Sequence, residues 1–422
     1  MGPAPQLTDP LELPCGLVLA NRLGRAAMTE ALSDRRNDPT RRHDRLYGSN
    51  ANGGAGLVLT GNVMIDRRHL ERARNIVVDA ATDAAALRRC AASAAAAPTL
   101  VQLSHPGRQV NRYVQPHPVS PSGGPGLKLA GAFAAPRALS RPEIDEVRAR
   151  FVDAATRVVD AGFPGIQIHG AHGYLISSFI DPARNRREDE YGGDLDGRAR
   201  LLLEIVAELR EALPAAAPVA VKLDARDGAE AELAELGIRL ERAGIDLIEV
   251  SGGNYERPAM AGYEADGSEI SSEHESPFWN AAAALSAAVS VPVMLTGGFR
   301  TRTEVDRALA AGVCDIVGAG RPLAVRPELA GRFVRGETDV LDPPGPRLGG
   351  PAPVRQLLGA AAGTGWHRIQ LARTGAGRPP SLRIPALLAA FDYTAVDWAQ
   401  AVLARPARMV LAGRTPAPGP NT

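Results

Sequence analysis

Short apolar runs recur along the chain, separated by stretches with helical periodicity, and this alternation constrains the fold more than any other feature. The runs are almost continuously apolar, as expected for parallel strands that are buried on both faces. Eight candidate strands are predicted: Leu23–Met28, Leu57–Thr60, Thr99–Leu103, Gly165–His169, Val219–Leu223, Asp246–Val250, Pro292–Thr296 and Asp315–Gly318. Eight strand–helix repeats predict a closed (β/α)8 TIM barrel, an α/β fold in which about 250 or more residues share one core.

The stretch between the third and fourth strands illustrates the helical signal. Apolar residues recur every three or four positions from Pro142 to Ala161, as on the buried face of an amphipathic helix. Ser140 and Glu143 have the spacing of a capping box, with Pro142 in the first turn. Further helices are predicted over Asp196–Leu213, Ala229–Ala243, Pro277–Ala288 and Thr301–Ala311.

Several segments depart from the repeat and indicate how the chain is organised. Residues 105–139 and 174–193 follow the third and fourth strands, where barrel enzymes place their active sites. Residues 105–139 and 255–276 are predicted to be loops that shape the pocket. Residues 1–340 are therefore predicted to form the barrel, and residues 341–422 a Pro/Gly-rich and helical extension packed on its outside.

Composition excludes several classes of function. The formal net charge is +1, which provides no electrostatic basis for binding nucleic acid or an anionic membrane. Cys15, Cys90 and Cys314 are far apart and form no CxxC pair, which argues against disulfides, cysteine-rich zinc sites and iron–sulfur clusters and favours the reducing cytoplasm. No signal peptide and no apolar run of about 18 residues is recognised. A homo-oligomer is compatible with the sequence.

The most informative residues lie at the end of the fourth strand. His169, His172 and Tyr174 fall within six positions, where they could bind an oxygen or anion and present a phenol as an acid. A single strand-end histidine is more often structural, but three polar rings together favour a functional site. The HxxH spacing also occurs in metal sites, but no third ligand is evident nearby, so no metal is predicted.

Two polar residues lie inside apolar strands and need partners there. Gln102 offers both a donor and an acceptor, which a ligand or its barrel neighbours could satisfy. Lys222 carries a charge that is costly to bury unless it is paired, and a barrel carboxylate such as Asp224 or Glu249 could pair with it.

The ends of the last two strands indicate a phosphate site. Gly298 and Gly320 would let backbone N–H groups approach a phosphate, and Arg321 could bind it bidentately. Phosphate sites at strands seven and eight are common among barrels. No GxGxxG follows a strand, so a Rossmann dinucleotide site is excluded.

Segment 166–193, IQIHGAHGYLISSFIDPARNRREDEYGG, resembles the signature of the Old Yellow Enzyme family of FMN-dependent ene-reductases. The similarity extends to NRLGRAAMT at 21–29, GGAGLVLTGNVMIDRR at 53–68 and LVQLSHPGRQ at 100–109, which resemble the segments of the first three strands. The sequence departs from the family at Ala27, where the family has Pro, at Arg25, where it has a smaller residue, and at Asp181, where it has Ser.

This resemblance implies an enzyme that binds FMN, takes hydride from NADH or NADPH and reduces a small electrophilic alkene. His169 and His172 would hold the substrate carbonyl, and Tyr174 would protonate the α-carbon. The remaining family positions would contact the flavin or its phosphate: Ala26, Ala27, Met28, Thr29, Gly61, Gln102, Lys222, Gly298, Gly320 and Arg321. Lys222 in particular would stabilise negative charge on the reduced ring.

Three alternatives remain at this stage. A relative of dihydroorotate dehydrogenase is disfavoured by the His169–Tyr174 cluster. An NAD(P)H oxidase or demethylase-like enzyme would keep the flavin but use no dedicated alkene. A flavin-binding barrel without catalytic activity is disfavoured because the polar cluster is intact.

Overall fold

Eight parallel strands close into a barrel in the computed structural model, which describes residues 4–127, 131–253, 276–342, 345–346 and 352–403. The strands are β1 Leu23–Arg25, β2 Leu57–Leu59, β3 Thr99–Ser104, β4 Ile166–Gly170, β5 Val219–Asp224, β6 Leu247–Ser251, β7 Val293–Thr296 and β8 Ile316–Ala319. Each strand pairs with the next, and β8 pairs with β1 to complete the ring. The predicted TIM barrel and all eight of its strands are confirmed.

Helices surround the barrel. They are α1 Arg41–Ala51, α2 Ala84–Ser93, α3 Arg141–Asp160, α4 Leu175–Ile180, α5 Leu195–Ala212, α6 Glu230–Arg242, α7 Trp279–Ser286, α8 Arg302–Ala310, α9 Arg321–Val325, α10 Leu329–Val334, α11 Ala352–Gly375 and α12 Ala386–Phe391. The five helices predicted from periodicity are present as α3, α5, α6, α7 and α8. The capping box of α3 is present, because Glu143 Oε2 accepts hydrogen bonds from Ser140 N at 2.9 Å and Ser140 Oγ at 2.8 Å. No helix among the described residues is long and apolar enough to cross a bilayer.

The barrel interior changes from apolar to polar along its axis. A short antiparallel hairpin, Leu11–Glu12 with Val18–Leu19, lies at the apolar end, where Leu13 and Leu19 pack in one cluster with the inward-facing strand residues. Side chains two positions apart on a strand share a face. Moving two residues along three strands therefore leads from the apolar floor to the polar end: Leu100 to Gln102, Ala220 to Lys222, and Leu247 to Glu249.

The first strand is shorter than predicted, because it ends at Arg25 rather than Met28. Ala26 N still donates to Ala319 O at 3.0 Å, but the chain beyond it leaves the sheet. The Arg25 side chain is buried, and its Nη1 donates to Leu59 O at 2.7 Å. The residues after Ala26 therefore form no strand pairing and lie at the C-terminal face of the barrel.

The C-terminal helices contact both the helical layer and the loops at the barrel mouth. Trp366 of α11 is buried with Val325 and Ala389. Beyond the π-helical turn Asp392–Val396, Asp397 Oδ2 accepts hydrogen bonds from Arg72 Nη1 and Tyr113 OH, both at 3.2 Å. The extension thus reaches the segments after β2 and β3. Residues 404–422 of the predicted extension lie outside the described residues, as do 254–275, which include almost all of the predicted loop 255–276.

Candidate active site

Three rings predicted to act together meet at the C-terminal end of β4. The centroid of the His169 ring lies 4.6 Å from that of Tyr174 and 5.1 Å from that of His172, with edge-to-face angles of 74° and 81°. His169 and Tyr174 are buried, and His172 is partly exposed. Edge-to-face packing holds aromatic rings in a fixed relative orientation, so the three polar edges form one unit at the mouth of the barrel.

The surroundings of both histidines favour the neutral imidazole. Burial, and then the nearby Lys222 ammonium, lower the pKa of His169 well below its usual range, and the same causes lower the pKa of His172. The backbone N–H of Ala171 donates to His169 Nδ1 at 3.3 Å. A neutral imidazole that accepts at Nδ1 carries its proton on Nε2, so His169 presents Nε2–H as a hydrogen-bond donor.

The turn that carries His172 has an unusual backbone. His172 has φ 62°, and the next residue, Gly173, has φ 72°. A left-handed conformation is uncommon for a residue other than glycine and needs support from its surroundings. Here the backbone N–H of His172 donates to Asp224 Oδ1 at 2.7 Å. The turn is therefore held by the strand beside it.

A chain of hydrogen bonds crosses the polar end of the barrel. Gln102 Nε2 donates to Gln167 Oε1 at 2.8 Å, and Gln167 Nε2 donates to Glu249 Oε2 at 2.7 Å. Lys222 Nζ donates to Glu249 Oε1 at 2.9 Å. Of the two carboxylates considered as partners of Lys222, the structure selects Glu249, because the β5–β6 register sets Lys222 directly beside it.

Lys222 is also adjacent to the ring cluster, since the β4–β5 register pairs it with His169. Gln102 is connected to the same region through Gln167. The structure thus brings Gln102, Lys222 and His169 together. Gln167 accepts a hydrogen bond from Gln102 and Glu249 pairs with Lys222, so both partners belong to the same network.

The candidate flavin residues after β1 lie next to the end of β8. A Cβ placed on Gly320 would lie 3.5 Å from Met28 Sδ and 3.9 Å from the Ala26 Cβ. Ala27 follows Ala26 and is partly exposed. Two segments that were expected to line one cofactor therefore lie side by side at the barrel mouth.

Two other predicted flavin residues have partners within the protein. The Thr29 hydroxyl donates to Asn62 Oδ1 at 2.9 Å. Gly61 N donates to the buried Glu30 Oε1 at 2.7 Å, and a Cβ on Gly61 would overlap that carboxylate. Gly61 is thus required by its contact with Glu30, whatever it contacts on its other side.

Several groups suited to an anionic ligand lie at the ends of β7 and β8. Gly298 has φ 92°, a conformation that strains other residues, and a Cβ there would lie 2.8 Å from Ser276 Cα. Arg321 begins α9 directly after Gly320. Thr296, just before the glycines, has a buried hydroxyl with no hydrogen-bond partner within the described part of the chain. A hydroxyl with a vacant hydrogen-bonding capacity, glycine backbone N–H groups and a guanidinium are suited to an anionic ligand.

The described residues contain no group of three His, Cys, Asp or Glu side chains arranged to hold a metal ion. His172 Nε2 instead lies 3.3 Å from the Ser251 hydroxyl at the end of β6. The HxxH pair is thus engaged with a serine, a backbone N–H and its neighbouring rings.

Sequence reasoning did not identify Gln167 or Ser177, and it considered Glu249 and Asp224 only as partners of Lys222. Gln167 lies two residues before His169, and Glu249 lies two residues after Leu247, so the strand period could have identified both. Ser177 and Asp224 contact the His172 turn. No local signal identifies that pair, because the contact depends on how α4 and β5 meet.

Comparison with known proteins agrees with this arrangement. The profile of the NADH:flavin oxidoreductase / NADH oxidase family matches residues 6–339. The NADH-dependent flavin oxidoreductase iliE of Hypocrea jecorina is 37% identical over 347 residues, which cover 76% of this chain and 86% of that protein.

Two solved structures have the same barrel. Morphinone reductase in complex with tetrahydroNAD aligns with a TM-score of 0.67 and 25% identity over 81% of this chain and 93% of its own. The old yellow enzyme homologue from Zymomonas mobilis aligns with a TM-score of 0.67 and 24% identity over 79% of this chain and 94% of its own.

Proposed function

The chain belongs to the NADH:flavin oxidoreductase / NADH oxidase family, the family of the Old Yellow Enzymes, and on that premise we propose that it reduces the C=C bond of an activated alkene. It is an oxidoreductase whose cofactor is FMN and whose hydride donor is NADH or NADPH. The observation that carries the proposal is the cluster of His169, His172 and Tyr174 at the end of β4.

Residues around the barrel mouth would hold the cofactor. Gly298, Gly320 and Arg321 would bind the FMN phosphate, and Gln102 and Lys222 would bind the ring. The segment Ala26–Thr29 and Gly61 would lie along its edge. When bound, FMN supplies the hydride chemistry, accepting hydride from the nicotinamide and passing it to the alkene.

His169 would bind and polarise the substrate carbonyl. Its Nε2–H is a neutral donor, fixed in that tautomer by the Ala171 N–H on Nδ1. A preorganised donor aimed at an oxygen that gains negative charge stabilises the transition state. His172 would contribute a second contact to the same oxygen, and together they would draw electron density away from the β-carbon.

Tyr174 would complete the reaction by protonating the α-carbon. Its ring is buried against His169, 4.6 Å between centroids, so its hydroxyl has a fixed place beside the substrate-binding histidines. A positioned general acid contributes about 10²–10⁴-fold to the rate of a proton transfer. Binding at the histidines and protonation at Tyr174 are therefore separable functions of neighbouring rings.

A stopped-flow experiment tests this proposal against its main alternative. The FMN-loaded enzyme is reduced anaerobically with NADH or NADPH and mixed with 2-cyclohexenone, a maleimide, a nitroalkene or oxygen. We expect reoxidation by at least one alkene to exceed reoxidation by oxygen at equal concentration. Rapid reoxidation by oxygen together with inert alkenes would favour an NADH oxidase and refute the alkene reductase.

We also propose that the chain divides near residue 340. Residues 1–340 would form the catalytic barrel, and residues 341–422 an extension that braces it. The family profile supports this division because its match ends at residue 339.

The three cysteines are free, which is compatible with a cytoplasmic location.

A further inference from the structure

The turn between β4 and α4 places the catalytic rings, and its backbone conformation is maintained by side chains that the reaction itself does not use. His172 and Gly173 are consecutive residues with positive φ, at 62° and 72°. A glycine adopts this conformation readily, but a histidine does so only where its surroundings enforce it. Contacts from the surrounding residues must therefore hold the His172 backbone in this conformation.

The side chains of Asp224 and Ser177 provide those contacts. Asp224 Oδ1 accepts the His172 N–H at 2.7 Å, and Asp224 Oδ2 accepts the Ser177 hydroxyl at 2.5 Å. Ser177 Oγ in turn accepts the Gly173 N–H at 3.2 Å. Both backbone N–H groups of the left-handed turn are thus tied, directly or through one hydroxyl, to a single carboxylate at the end of β5.

Asp224 links the turn to β5, and further hydrogen bonds shape the turn itself. Ser178 Oγ donates to Gly173 O at 2.9 Å, and Tyr174 N donates to Ala171 O at 3.2 Å. These bonds shape the turn from within the same loop and helix. The carboxylate sets the turn relative to the barrel strand that carries Lys222, and therefore relative to the polar end of the barrel.

We propose that Asp224, acting with Ser177, is a positioning residue that holds His172 in the left-handed conformation and so aims the His169–His172–Tyr174 cluster at the substrate. This inference rests on the proposed function, in which those rings bind and protonate the alkene. Asp224 itself contacts the backbone of His172 and the hydroxyl of Ser177, so its effect on the reaction passes through the turn.

Four variants of the FMN-loaded enzyme test the assignment. Asp224→Ala removes both acceptors, and Ser177→Ala removes the hydroxyl between Asp224 and Gly173. Asp224→Asn keeps an oxygen for the His172 N–H and an amide that can donate to Ser177, so it should rescue the site. Asp246→Ala is the matched control, because Asp246 Oδ2 accepts the Val219 N–H at 2.8 Å at the opposite end of the barrel.

Each variant is reduced with dithionite, which does not need the ring cluster, and then mixed anaerobically with 2-cyclohexenone. Binding of 4-hydroxybenzaldehyde to the oxidised enzyme is measured by calorimetry. A displacement of catalytic groups by about 1 Å can reduce a rate about 10²-fold. We expect Asp224→Ala and Ser177→Ala to weaken binding and slow reoxidation by about 10- to 100-fold, with FMN content unchanged. Asp224→Asn and Asp246→Ala should stay within about threefold of the original enzyme, a change well below that expected from displacement.

The results that would overturn the inference are distinct from those that would overturn the proposed function. An original enzyme that reacts with no alkene contradicts the function. An active enzyme in which Asp224→Ala changes neither binding nor reoxidation contradicts the positioning role. So does a loss in Asp224→Asn as large as that in Asp224→Ala. A crystal structure of Asp224→Ala adds a test independent of activity, since a His172 φ still near 62° would refute the inference.

Discussion

The buried pair of Lys222 and Glu249 allows a quantitative prediction about the barrel interior. The Lys222 side chain is 3% exposed and that of Glu249 0%, and their atoms are 2.9 Å apart. Replacing Lys222 by Met leaves the carboxylate buried without its counter-charge. Breaking a buried ion pair in this way costs about 3–5 kcal/mol. Because Gln167 continues to donate to Glu249, we expect a loss near the lower limit, about 3 kcal/mol.

A double variant distinguishes the loss of the ion pair itself from the cost of leaving one unpaired charge buried. Lys222→Met with Glu249→Gln removes both charges and leaves a neutral amide beside Gln167. Substituting both members of a buried pair is often close to neutral, so the double variant should be more stable than either single variant. Urea unfolding of all four proteins, with equal slopes as the check on comparable transitions, measures these differences. A Lys222→Met protein within about 0.5 kcal/mol of the original, the range of ordinary surface substitutions, would refute the reasoning.

The same variants test whether Lys222 also acts on the flavin. A lost positive charge beside the ring should lower its reduction potential, and the lost negative charge in Glu249→Gln should raise it. The double variant should lie between them. Spectroscopic titration against reference dyes measures the reduction potential of the flavin in the three variants and in the original enzyme. Unchanged potentials, together with the expected loss of stability, would assign Lys222 a structural role only.

Three further predictions follow from the site. Tyr174→Phe should leave reduction of FMN by nicotinamide nearly unchanged but slow the oxidative half-reaction with weakly activated alkenes by about 10²–10⁴-fold; an unchanged stopped-flow rate would assign the proton to another donor. Burial raises the pKa of Asp224 to about 6 from an ordinary value of 3.8, with Arg226, Glu232 and the His172 turn around it. The folded chain therefore binds this proton more tightly than the unfolded chain, and stability from this group is present below about pH 4 and lost as pH rises through about 6. Asp224→Asn lacks this effect, so its urea stability relative to the original protein should improve between pH 4.5 and pH 7; a difference independent of pH would contradict the raised pKa. Dialysis against EDTA should leave alkene reduction intact, and activity that returns only on adding zinc would reveal a metal requirement.

Much of this protein could be predicted from local sequence patterns. The eight apolar runs and the helices between them specify a parallel barrel, because strand and helix periods are properties of neighbouring residues. The segment from Ile166 to Gly193 identified the family. Gln102 and Lys222 were recognisable as residues needing partners, since a polar side chain in an apolar strand is unfavourable wherever the strand lies.

Only the tertiary structure decided which partners those residues have. Both Asp224 and Glu249 were candidates for Lys222, and strand register set Glu249 beside it while Asp224 reached the turn after β4. The left-handed conformation of His172 likewise has no signature in the sequence, because the contacts that enforce it come from β5 and α4. Side-chain period and residue type are local properties, whereas register and loop contacts depend on residues distant along the chain. The chemistry of the site is therefore readable from the sequence, and the positions of its groups depend on the closed barrel.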